Sequence, residues 1–123
     1  SWKSGRQELS TKGVDSLIKV LAESPDVISM EFAAAALANC ALEVEGAGRA
    51  VSAVPLLCKH LNSPRRALRR NALMALNNLA KHAKLARVMA GQRNVTDKLR
   101  ALCNSPDKEE RKHAETAMRR LGD

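Results

Sequence analysis

The chain has 123 residues, a formal charge of +8 and a pI near 9.9, so it is long enough for one domain or a few stacked repeats and its charge favours acidic partners. Aromatic residues make up only 2% of it, Trp2 and Phe32 with no tyrosine, which argues against a single aromatic-centred core and against a base-stacking platform. Three widely spaced cysteines argue against a disulfide framework and point to a reducing compartment, cytosol or nucleus; no apolar run approaches the roughly 20 residues of a membrane span.

Residues 1–12 are polar and read as a tail or the end of a preceding helix. Val14, Leu17, Ile18 and Leu21 recur at helical spacing and predict a short amphipathic helix, stopped by Glu23-Ser24-Pro25-Asp26. A long helix is then expected from about Asp26 to Leu42, with Glu43 to Gly48, which holds two glycines, as the break after it. Arg49 to Ala53 reads as a short helical segment. Val54 to Leu61 reads as the next helix, with Pro55 tolerated in its first turn. Asn62-Ser63-Pro64 is a turn, and Arg65 to about His82 a second long helix. Ala83 to Ala90, stopped by Gly91, and Asn94 to Cys103, capped by Asn94 or Thr96, lead to the turn Asn104-Ser105-Pro106. A third long helix follows from Asp107 to Leu121, with Gly122 where a left-handed cap belongs.

The turn prolines Pro25, Pro64 and Pro106 are 39 and 42 residues apart. Counting from each proline, offsets 8, 11, 12 and 15 hold Ala33, Ala36, Leu37 and Cys40, then Ala72, Ala75, Leu76 and Leu79, then Ala114, Ala117, Met118 and Leu121. One helix is written three times, in units 13–47, 48–82 and 83–122. A period near 40 built of a short, a medium and a long helix indicates an all-α chain of the solenoid class, in which each unit covers its neighbour's apolar face.

The segments Ala33-Ala34-Ala35-Ala36-Leu37-Ala38-Asn39-Cys40-Ala41 and Asn71-Ala72-Leu73-Met74-Ala75-Leu76-Asn77-Asn78-Leu79-Ala80 resemble the third helix of the armadillo repeat family. There an Ala-Leu-x-Asn core is followed by a hydrophobic residue and alanine. Gly13 to Leu21 and Val54-Pro55-Leu56-Leu57 resemble its second helix. The resemblance spans roughly residues 13–122 and implies a right-handed α-solenoid of about three repeats, with HEAT repeats as the near alternative. It also implies a concave groove lined by third helices, where the family's asparagine, here Asn39 and Asn78, hydrogen-bonds the backbone of an extended peptide. Where the family often has tryptophan four residues earlier, this chain has Ala35 and Met74, so binding of basic nuclear-import signals is not implied. The third unit departs further, with Thr116 and Arg120 in those two places, and Arg120 suggests a groove end that reads acidic groups.

At 100° per residue, offsets 8, 11, 12 and 15 share one buried face. Offsets 3, 7, 10 and 14 form a second stripe: Ile28, Phe32, Ala35 and Asn39; Ala67, Asn71, Met74 and Asn78; Glu109, His113, Thr116 and Arg120. Amides both donate and accept, which suits an extended backbone. Phe32, Asn39, Arg70, Asn71, Met74, Asn78, His113 and Arg120 are therefore the candidate partner-binding residues, with Arg70 at the stripe's edge. Arg65 and Arg69 read as solvated charge.

Charge is uneven. Residues 13–47 hold one base and six acids, residues 48–82 seven bases and no acid. No metal-ligand spacing, catalytic triad or phosphate-cradling glycine loop is recognisable, so the chain reads as non-catalytic and no cofactor is expected. The expected function is a scaffold binding an extended acidic or mixed-charge peptide. Nucleic-acid binding through backbone phosphates and head-to-tail self-association are the alternatives.

Overall fold

The computed structural model describes residues 2–122, with side chains from Gly13 onward. Every regular element among them is helical: α1 (Trp2–Glu23), α2 (Val27–Cys40), α3 (Val44–Ala50) with a 3-10 turn (Val51–Ala53), α4 (Val54–His60), α5 (Arg66–Leu79), α6 (Ala83–Ala90), α7 (Arg93–Leu102) and α8 (Lys108–Arg120). The long helices pack in chain order, α2 against α5 and α5 against α8. A second set lies behind them, α1 on α2, α4 on α5 and α7 on α8.

The Ser-Pro turns are built alike. Ser24, Ser63 and Ser105 each accept, on Oγ, the backbone N–H two residues on, that of Asp26, Arg65 and Asp107, at 3.1 Å. Asp26 and Asp107 then cap α2 and α8, accepting N–H groups of the first turn. Arg65 gives α5 no such side-chain cap. Helix α5 is held by packing instead: Leu68, Ala72, Leu73, Ala75, Leu76 and Leu79 are all buried. The predicted face is buried at Ala33 and Leu37, at Ala72, Ala75, Leu76 and Leu79, and at Ala114, Ala117 and Met118; Ala36, Cys40 and Leu121 are only half-buried, and α2 buries Ala34 and Ala38 as well. Gly122 closes α8 at φ 93°, in the left-handed region where glycine has no steric penalty.

Three sequence expectations are corrected. The helix through Val14 and Leu21 begins at Trp2, so most of the supposed tail is continuous with it; Ser1 and the side chains of residues 2–12 lie outside the described part. The supposed break from Glu43 to Gly48 instead contains most of α3, including both glycines. Glycine is weak evidence of a break when close packing demands it: a Cβ on Gly46 would overlap the backbone carbonyl oxygen of Cys40, so only glycine lets α3 approach the end of α2 this closely. Neither Asn94 nor Thr96 caps α7. The helix starts at Arg93, after Gln92 as an uncapped N-cap, and the Thr96 hydroxyl donates back to the Arg93 carbonyl.

Candidate protein-interaction face

The stripe predicted from offsets 3, 7, 10 and 14 lies at the surface along α2, α5 and α8. On α2 it is open: Phe32 is 72% exposed, Ile28 52%, and Asn39 is exposed with no side-chain hydrogen bond among the described residues. On α5, Asn71, Met74 and Asn78 are half-buried, and Met74 packs against the core. On α8, His113 is half-buried, with Nε2 3.8 Å from a Glu109 carboxylate oxygen, and Arg120 is exposed.

The amides are used differently from the expectation that they serve a peptide. Asn78 donates from Nδ2 to the Ala38 carbonyl of α2 at 2.8 Å, and Asn71 donates to the Glu31 carbonyl at 2.9 Å. Arg120 donates from Nη1 to the carbonyl and side-chain oxygens of Asn77 at 2.9 and 2.7 Å. Ala38 and Asn77 lie in the last turns of α2 and α5, where helix carbonyls lose their own partners. The N–H that would serve Ala38, that of Leu42, goes to Asn39 instead; the N–H of Lys81 likewise goes to Asn78 rather than Asn77. Helices α5 and α8 therefore each cap an open carbonyl of the long helix before them.

Three more residues do the same and were missed in the sequence. His82 reaches the Ala41 carbonyl at 2.7 Å, His60 the Leu21 carbonyl at 3.4 Å, and Lys98 donates to the Cys58 carbonyl at 3.2 Å. Basic groups suit helix C-termini, where the carbonyl ends carry partial negative charge. Burial holds His60 below its ordinary value, a neutral imidazole that donates through Nε2. A signal was present: each donor sits about one repeat period after its carbonyl. Asn78→Ala should cost about 1–2 kcal/mol in urea denaturation, because the Ala38 carbonyl loses its donor. Asn78→Asp should cost more, since a carboxylate would face that carbonyl; equal or smaller loss for Asp would refute the capping role.

The arginine run is not a free anion site. Arg65 pairs with Glu31 of α2 at 2.6 Å. Arg66 meets Asp107, the N-cap of α8, at 2.6 Å; Arg70 meets Glu109 at 2.9 Å and Arg69 meets Glu110 at 3.1 Å, both on α8. The solvated reading of Arg69 is corrected: it is largely buried, its partner Glu110 is 8% exposed, and its Nη1 also donates to the Ser63 carbonyl. Arg111, five residues after the next turn proline as Arg69 is after Pro64, makes the same bond to Ser105. Asp107 is held down to about 2, first by the Arg66 guanidinium and then by the Glu110 backbone N–H. Between α5 and α8, Arg66, Arg70, Leu73, Asp107, Glu109, Glu110 and His113 line a cleft of about 10 Å³, room for little more than a water. Cys58 lies in the core, and burial pushes its thiol up to about 11 against the opposing pull of Lys98.

No protein-family model and no curated protein matches the sequence. Among solved structures the chain is similar to the crystal structure of an engineered protein from a structural genomics consortium, at a TM-score of 0.57 and 23% identity. The match covers 89% of this chain and 62% of that one, so the chain spans less than two thirds of its neighbour's length. At that identity the likeness concerns the helical fold alone. No helix among the described residues is long and apolar enough to cross a membrane.

Proposed function

We propose that the chain is a non-catalytic protein-interaction scaffold, an armadillo-like right-handed α-solenoid of about three repeats, which holds an extended peptide of mixed or acidic charge across α2, α5 and α8. The observation that carries this reading is the 72% exposure of Phe32, with Ile28 beside it on α2 and the half-buried Met74 on α5, all on one stripe. Exposed aromatic and methionine side chains are the residue types that supply most of the energy at protein interfaces. The Asn39 amide supplies both donor and acceptor, and Arg120 supplies positive charge at the α8 end, with the His113 ring on the same stripe. The Nδ2 of Asn78 already serves Ala38, which leaves its Oδ1 as the group to meet a peptide N–H.

The carboxylates beside Arg66 and Arg70 shape the expected charge. An acidic peptide has to compete with Asp107 and Glu109 for these guanidinium groups, so its acidic side chains belong nearer Arg120. The same competition weakens the case for nucleic acid, whose phosphates would have to displace both carboxylates. The experiment is selection of short peptides displayed on phage against the intact chain, followed by binding of the selected sequences to variants. Phe32→Ala and Met74→Ala should each weaken binding about tenfold or more, and Arg120→Glu should shift the selected peptides towards basic residues. Peptides whose affinity ignores all three substitutions would refute the reading.

A further inference from the structure

Both junctions between long helices close with one device. The side chain at offset 14 of the later helix, Asn78 or Arg120, donates to the carbonyl at offset 13 of the earlier one, Ala38 or Asn77. Helix α2 carries asparagine at the same offset, Asn39, and this amide has no carbonyl to cap. Phe32, Ala35 and Ile28 hold the remaining positions of that stripe on α2, two of them large, apolar and more than half exposed. In α5 and α8 the equivalent side chains at offset 7 lie half-buried.

We propose that this outer edge of α2 is a docking site for an amphipathic helix of a partner protein, laid parallel to α2 as α2 lies on α5. The two observed junctions define the chemistry of the occupant. The face that an earlier helix offers to a later one is small or apolar in α2, where Ala34 and Ala38 are buried; in α5 it is Leu73 and Asn77, also buried. The occupant therefore carries alanine- or leucine-sized residues at this spacing and an open carbonyl in its last turn for Asn39. Its first turn is basic. Asp26 sits at the offset of Asp107, which binds Arg66 of the helix before it, and the surrounding residues 13–47 carry one base against six acids.

A second copy of the chain does not meet both requirements: α8 has Lys108 at the offset of Arg66 but lacks the small apolar face. Helix α8 has Glu115 and Arg119, both exposed, where Ala34 and Ala38 stand in α2, so head-to-tail stacking would press charges onto Phe32 and Ile28. Two α2 edges facing each other would set Asp26 and its acidic surroundings against themselves. The site shares Ile28, Phe32 and Asn39 with the peptide surface proposed above, but it does not depend on Met74 or Arg120.

The probe is a labelled synthetic peptide of residues 64–82, whose helix offers Arg66, Leu73 and Asn77 to its neighbour in the fold. Anisotropy titration with the intact chain should show saturable binding, weakened about tenfold or more by Phe32→Glu and several-fold by Asn39→Leu. Arg66→Glu in the peptide should weaken it too, and Met74→Ala in the chain should leave it unchanged. Neither chain variant should lower the melting temperature, since Phe32 is 72% exposed and Asn39 is exposed with no side-chain hydrogen bond among the described residues. Absent binding, or binding indifferent to Phe32→Glu and Asn39→Leu, would overturn the proposal. So would a chain dimer in sedimentation that Phe32→Glu dissolves, because a second copy would then be the occupant. Loss of binding with Met74→Ala would assign the probe to the peptide surface and sink the helix site alone.

Discussion

Gly46→Ala is expected to destabilise the fold by about 3 kcal/mol or more, near the upper end of overpacking costs. The added methyl would overlap the Cys40 carbonyl oxygen and crowd that residue's backbone carbon, and backbone atoms at the end of a packed helix cannot step aside as a flexible side chain would. Relief requires α3 to withdraw from α2, and α3 also packs against α1, so the displacement would propagate to the first layer. Thermal melting should register the change as a drop of roughly 10 °C or more for a domain of this size. Gly48 supplies the control. It lies in the same helix, exposed, and a methyl there meets nothing within 4 Å. Gly48→Ala should therefore raise stability by about 0.5–1 kcal/mol, through helix propensity and a less flexible unfolded chain. Similar melting temperatures for the two variants would show that α3 does not sit where the structure has it.

The contrast between these two glycines shows what the sequence can and cannot reveal. Periodicity at offsets 8, 11, 12 and 15 reports burial directly, because each apolar side chain at those places needs a neighbour to cover it. That is why the faces through Ala72, Leu76 and Leu79 and through Ala114 and Met118 were readable. A pair of glycines carries no periodicity and reads equally as a break or as a place where backbones touch. Only the position of Cys40 distinguishes the two. The stripe at offsets 3, 7, 10 and 14 was legible as surface, but not what its side chains bind. Asn78 looked like a group held ready for a ligand because a donor's target lies a repeat away in sequence, in the open carbonyl of Ala38. His60, His82 and Lys98 were passed over for the same reason: a single basic residue near a helix end is indistinguishable from solvated charge until the helix before it is in place. Asn39, with the same identity and register as Asn78 and no target, becomes informative only by comparison with its repeat partner.

The ion pairs between α5 and α8 are similar in form and should differ in effect. Arg66 and Arg70 are more than half exposed, at 60% and 51%, so their pairs should contribute little to stability and weaken with salt. Arg69 is 24% exposed and Glu110 only 8%, in the seam between the two long helices. Arg69→Met should cost about 3–5 kcal/mol, because it leaves the Glu110 carboxylate buried without its partner and also removes the donor to the Ser63 carbonyl. The double variant Arg69→Met, Glu110→Met should recover most of that loss, since a buried pair replaced by well-packed apolar side chains often costs little. Arg69→Lys should fall between the two: an ammonium can approach Glu110 or Ser63, but lacks the planar fork that reaches both. Urea denaturation of the parent chain, Arg69→Met, Glu110→Met and the double variant closes the cycle. A single-variant loss no larger than that of Arg66→Met would mean that Glu110 is solvated. Additive losses in the double variant would mean that Arg69 and Glu110 act separately, Arg69 through the Ser63 turn and Glu110 through the start of α8.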